Sequence, residues 1–130
     1  MIQLLCHLWG DYILQSDWMA QNKTKRWLPA TIHALLYSLT FLLLRPSLLA
    51  WAIIFGTHLL IDRFRLARYV VWAKNWMGPW GVNLLWRNCS KTGYLDEDRL
   101  GPPAWMAVWL MIVADNILHL TINYLSLRCL

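Results

Sequence analysis

The stretch Gly56-Thr57-His58-Leu59-Leu60-Ile61-Asp62 puts a histidine and an aspartate four residues apart at the end of an apolar run, Leu48 to Ile61. On a helix that spacing stacks both side chains on one face. The pattern recurs in His7 and Asp11, and in reverse order in Asp115 and His119. The remaining histidine, His33, opens a further apolar run. Neutral imidazole and carboxylate are ligands for zinc, manganese or iron, and a pair at i and i+4 lets one helix supply two of them. One such pair arises easily by chance. Three of them, using three of the four histidines and all inside apolar segments, are a stronger signal.

The elements that must carry these residues are helices in an apolar setting. The chain of 130 residues is 58% apolar and 15% charged, with ten tryptophans and a mean hydropathy of +0.38. Soluble domains run closer to about 25% charged, so the composition is that of an integral membrane protein. The formal charge of +5 sits beside apolar runs, which suits anionic lipid and topology rather than nucleic acid, for which there is no binding motif. Cys6, Cys89 and Cys129 show neither zinc-ligand nor disulfide-framework spacing. Met1-Ile2-Gln3 has no basic stretch ahead of the first apolar run and no cleavage site follows, so the first helix is expected to stay in the membrane.

The expected fold is all-α: a single transmembrane domain of residues 1–130, an integral membrane four-helix bundle with spans at about 2–20, 29–44, 47–62 and 104–127. The first span carries Gln3, His7, Asp11 and Gln15 as a polar stripe that lipid would not tolerate, and Gly10 admits a close neighbour. Pro29 suits the first turn of the second. Arg45-Pro46-Ser47 turns the chain straight into the third, whose helical pattern continues past Asp62 through Arg63 to Lys74 as an interfacial extension. A long cytoplasmic loop, 75–103, holds the breakers Gly78-Pro79-Trp80-Gly81 and Gly101-Pro102-Pro103, a short helix near Val82 to Arg87, and the acidic run Asp96-Glu97-Asp98. Lysine and arginine crowd the connections 21–28 and 63–103, so the positive-inside rule puts those in the cytoplasm and both termini outside. At about 1.5 Å per residue, Asp11, His58 and Asp115 fall roughly 15–17 Å along their helices, near mid-membrane. His33 and Asp62 fall nearer the cytoplasm, and His7 and His119 on the outer side.

Several chemistries fit this polar set. A metal centre in the bundle core is one. Helix-to-helix hydrogen bonding, a proton or ion path, and haem ligation are others, haem fitting worst because a carboxylate accompanies each paired histidine. As a metal centre, the first-choice ligands are His58, Asp62, Asp11 and His33, followed by Asp115 and His119; His7 is a ligand or the partner of one. Asp17 and Asp115 are the candidate catalytic carboxylates.

The stretch His7-Leu8-Trp9-Gly10-Asp11-Tyr12-Ile13-Leu14-Gln15-Ser16-Asp17-Trp18-Met19-Ala20-Gln21-Asn22-Lys23 resembles the opening signature of a family of small bacterial and phage membrane proteins of unknown function. His33-Ala34 and His58-Leu59-Leu60-Ile61-Asp62 match its later motifs, so the resemblance covers roughly the first half of the chain. More loosely, the His/Asp pattern is similar to that of YdjM-like inner-membrane proteins, regarded as metal-dependent hydrolases. That resemblance implies a membrane-bound hydrolase using a divalent metal (zinc, manganese or iron), with the bilayer and a lipid or lipid-linked phosphoester as partners, and self-association compatible with it. The other reading is a non-enzymatic membrane protein: a phage-encoded factor acting on a host membrane component, or a small ion or proton carrier.

Overall fold

The computed structural model describes residues 1–77, 85–96 and 101–130. The described residues are all-helical, with six α-helices among them: α1 Ile2–Leu8, α2 Asp17–Asn22, α3 Trp27–Thr40, α4 Leu48–Phe64, α5 Ala67–Trp76 and α6 Ala104–Cys129. The only strand-like pairing among the described residues is a single antiparallel bridge, Cys89 to Leu95. The chain divides into two compact units, one of residues 1–65 and 119–130, the other of residues 66–118.

The first unit is apolar outside and polar inside. His7, His33, Ser38, His58, Asp62, His119, Asn123 and Ser126 are buried, while Leu4, Leu5, Trp9, Ile13, Leu43, Leu48 and Leu49 are exposed. On α3 the buried positions 30, 33, 34, 37, 38 and 41 form a stripe at helical spacing, and on α4 so do 50, 54, 58, 61 and 62. Cys6, Tyr37, Phe41 and Ile54 make the small apolar core, with Leu44 and Leu127 against it. Polar side chains tie the helices together: Trp51 Nε1 donates to the Ser38 carbonyl at 3.1 Å, Thr40 Oγ1 to the Cys6 carbonyl at 3.0 Å, and Gln3 Nε2 to the Leu120 carbonyl at 2.9 Å. Gly10 lies against Tyr37, where an added Cβ would stand 3.1 Å from the Tyr37 Cα.

Two expectations are corrected here. The first apolar run is not one helix to Ala20. It is α1, a π-helical turn at Trp9–Ile13, a break, and then α2, capped by Ser16 Oγ accepting from Met19 N–H at 3.4 Å. The wide turn lets the polar stripe stay on the inner side while the chain changes direction. Nor are there four membrane-length helices. Among the described residues two are long and apolar enough to cross a membrane, Trp27–Leu44 (α3 with its 3₁₀ extension) and Ala104–Cys129. The third run falls short because α4 stops after 17 residues at Phe64.

The turn at Arg45-Pro46-Ser47 forms as expected. Arg45 adopts a left-handed conformation, φ 51°, and Ser47 Oγ caps α4 by accepting from Ala50 N–H at 3.0 Å. The extension beyond Asp62 does continue helically, but as a separate helix, because Arg65 is also left-handed and closes α4.

In the second unit Val71, Tyr94 and Ala107 form a core, with Ala114 packed on it. The connection expected over 75–103 is partly built: a 3₁₀ turn at Trp86–Asn88 stacks Trp86 on Tyr69, ring centroids 4.7 Å apart, with the Arg68 guanidinium over both rings. Gly93 has φ 85°, and any Cβ there would collide with the Arg68 carbonyl. The breakers at Gly78 to Gly81, the start of the short helix expected near Val82, and Glu97 and Asp98 of the acidic run lie outside the described residues.

Candidate metal centre

Four side chains from three parts of the first unit meet at one point. Asp11 comes from the π-helical turn, His33 from α3, and His58 and Asp62 from successive turns of α4. His33 Nε2 lies 3.1 Å from His58 Nε2, 3.4 Å from Asp11 Oδ1 and 3.0 Å from Asp62 Oδ2. His58 Nε2 lies 3.3 Å from Asp11 Oδ1 and 3.3 Å from Asp62 Oδ2. Ligand atoms about 2.0–2.1 Å from a tetrahedral metal stand about 3.3 Å from one another. These five separations match the spacing between ligand atoms of one metal ion. The buried Asp11 Oδ1 makes no hydrogen bond, which is the state of a ligand atom facing a cation rather than a donor.

His119, from the C-terminal half of α6, braces this set. Its Nδ1 is 3.3 Å from His58 Nδ1, and its Nε2 is 3.5 Å from Asp62 Oδ1. With the His119 proton on Nε2, facing Asp62, its Nδ1 accepts from His58 Nδ1–H. The His58 Nε2 then keeps its lone pair toward the centre, and Asp62 keeps Oδ2 free of His119. His58, Asp62 and His119 are themselves close enough to hold an ion, as are Asp11, His33 and His58. His33 differs: its Nδ1 is buried without a hydrogen bond, which favours the proton on Nε2, donating to Asp62 Oδ2. A metal at the centre would displace that proton.

A further layer reaches into the core. His7 Nδ1 is 3.3 Å from Asp11 Oδ2 and 2.9 Å from Tyr37 Oη, which also accepts from Asn123 Nδ2 at 2.6 Å. The Tyr37 ring stacks on His58.

Lys23 closes the other side. Its Nζ donates to Asp62 Oδ2 at 2.7 Å and to Gln15 Oε1 at 2.7 Å, and stands 3.4 Å from His33 Nε2. Arg63 holds the loop that carries it, donating from Nη1 to the Thr24 carbonyl at 2.6 Å. Sequence reasoning placed Lys23 among the basic residues of a solvated connection. Its spacing from the motif residues carries no signal, because the approach to Asp62 exists only once α2 folds back.

The depth estimate put Asp115 in the cavity and His119 on its outer side. In the structure His119 is the α6 residue that reaches His58 and Asp62, while Asp115, one turn earlier, belongs to the second unit. His7 stands behind Asp11, bearing on it. Asp17 is exposed at the first position of α2, where a carboxylate favours the helix N-terminus. The cluster holds two carboxylates and one ammonium, so with neutral imidazoles it carries a surplus of negative charge that a divalent cation would reverse.

No curated protein and no solved structure matches the chain. A family described as "Protein of unknown function (DUF3307)" matches residues 1–81, a stretch that holds Asp11, Lys23, His33, His58 and Asp62 but not His119. That match spans more than half of the 130 residues, and the chain belongs to this uncharacterised family.

Proposed function

We propose that the protein is a membrane-embedded, metal-dependent hydrolase acting on a lipid or lipid-linked phosphoester. The observation that carries this reading is the convergence of Asp11 Oδ1 and Asp62 Oδ2 on the paired His33 Nε2 and His58 Nε2, each within 3.4 Å of both imidazole nitrogens. Zinc, manganese or iron suits such donors. A metal held there supplies Lewis acidity toward a phosphoryl oxygen and a bound water of lowered pKa. Hydrolysis needs one coordination position to be open. Asp11 is the ligand placed to yield it: it is the most exposed of the four and sits on a π-helical turn, an irregularity common at functional sites.

The membrane setting is supported by the inverted first unit, with histidines and aspartate inside and leucines outside, and by the two helices of membrane length. Charge supports a cytoplasmic Lys23 loop. The mouth of the site, at Lys23, then lies toward the cytoplasmic face.

A second reading is favoured by a different feature. All the candidate ligand atoms come from protein side chains, in the two overlapping triads Asp11, His33, His58 and His58, Asp62, His119, so a cation-carrying or purely structural centre is the competing function. One experiment separates them. Protein purified in detergent is analysed for bound metal and offered a panel of phospholipids and lipid phosphates in mixed micelles. Hydrolysis that stops with chelation and returns with metal supports the enzyme. Bound metal without turnover favours the carrier, and metal-free protein that stays so when supplemented sinks both.

A further inference from the structure

We infer that Lys23 and the metal together form a binding site for a phosphoryl oxygen, and that this site exists only when the metal is loaded. This deepens the hydrolase reading and rests on it for the metal.

Without metal, the Lys23 ammonium is compensated by Asp62 Oδ2 at 2.7 Å. Its other close partner, Gln15 Oε1, is neutral. A divalent ion ligated by Asp62 and Asp11 takes over both carboxylate charges. The ammonium is then left with a surplus positive charge beside a second cation, in a site where only a fifth of its side chain reaches solvent. That is costly unless an anion arrives. Lys23 is also the most exposed polar group of the cluster, against 11% for Asp11 and 6% for Asp62, so an anion entering from solvent meets it first. Its loop cannot simply carry it away. Lys23 N–H bonds the Met19 carbonyl at 2.8 Å, and Arg63 pins the Thr24 carbonyl next to it. An anion bridging ammonium and metal must present two or more oxygens on one small centre, as a phosphoryl group does. Before loading, the surplus charge is negative and repels the same anion.

Binding of the two ligands must therefore be coupled, and the coupling must be reciprocal. Mn(II) and Zn(II) are titrated separately into detergent-purified wild type, Lys23→Met and Lys23→Arg, with and without inorganic phosphate, and again with phosphatidic acid in the micelles. In wild type and Lys23→Arg, the phosphoryl ligand should tighten metal binding on the order of tenfold. In Lys23→Met the metal should bind as well as in wild type or better, and the coupling should vanish. Coupling by both ligands fits the shared phosphoryl chemistry; coupling by only one identifies whether a lipid headgroup or free phosphate is the source. Coupling that survives in Lys23→Met, or is absent from wild type that binds metal, overturns the inference and leaves the hydrolase reading intact. A tenfold or greater loss of metal affinity in Lys23→Met also overturns it, making Lys23 a positioning residue for Asp62. Failure of either metal to bind wild type overturns both.

Discussion

The Tyr37 ring lies flat on the imidazole of His58, centroids 3.6 Å apart and 11° from parallel. Its hydroxyl meanwhile reaches His7 and Asn123. One aromatic side chain thus sets the plane of a central imidazole and joins α1 to α6 behind it. Gly10, packed against the same tyrosine, makes this arrangement possible.

Gly10→Ala should therefore be costly. The new methyl would press on the Tyr37 ring and backbone, forcing a shift worth about 1–3 kcal/mol. Gly56→Ala is the matched control: nothing lies within 4 Å of a Cβ there, and removing a helix-interior glycine should stabilise by roughly 0.5–1 kcal/mol. Thermal unfolding in detergent reads both. Equal behaviour of the two variants would mean that the α1–Tyr37 contact does not hold the fold together.

His58→Ala and Asp62→Ala should each abolish metal binding, since both contribute atoms to the candidate ligand set. Glu97→Ala should leave it unchanged. Elemental analysis of the purified variants decides this, and the same metal content in all three would leave only a hydrogen-bonding role for the cluster.

His119→Ala should weaken metal binding about 10–100-fold without eliminating it, because His119 orients His58 and Asp62. Asp115→Ala, one turn away on α6, should have the smaller effect. Competition against a chelator of known affinity gives the two constants. A larger loss at Asp115 would reverse the assignment.

Metal affinity should rise with pH across the imidazole range, about pH 5 to 7. The sign follows from the imidazoles: a ligating histidine must be neutral, so wherever His33 or His58 is imidazolium the metal has to displace a proton. Loading the metal therefore releases protons, and acid drives it off. Affinity flat across that range would exclude His33 and His58 as ligands.

An introduced cysteine near Lys25 should be shielded from an impermeant thiol reagent in intact cells and react once the membrane is opened. Labelling from outside would invert the proposed orientation.

The sequence by itself determined the helical class and the composition of the site. Histidine and aspartate at i and i+4 share a helix face whatever surrounds them, so His58 and Asp62 were bound to act together once Leu48 to Phe64 became helical. The stripe of Gln3, His7, Asp11 and Gln15 had to turn inward, because its neighbours Leu4, Leu5, Leu8 and Ile13 are the residues that an apolar environment accepts. Only the tertiary structure decided which stripes meet, and at what height. The depth estimate assumed four straight, full-length helices rising about 1.5 Å per residue. The π-helical turn at Trp9–Ile13 and the left-handed stop at Arg65 break that assumption, and His119, expected on the outer side, lies beside His58. Lys23 shows the limit most plainly. It is 39 residues from Asp62 in the chain, and no local periodicity links two residues whose contact depends on α2 folding back and on Arg63 fastening the loop between them.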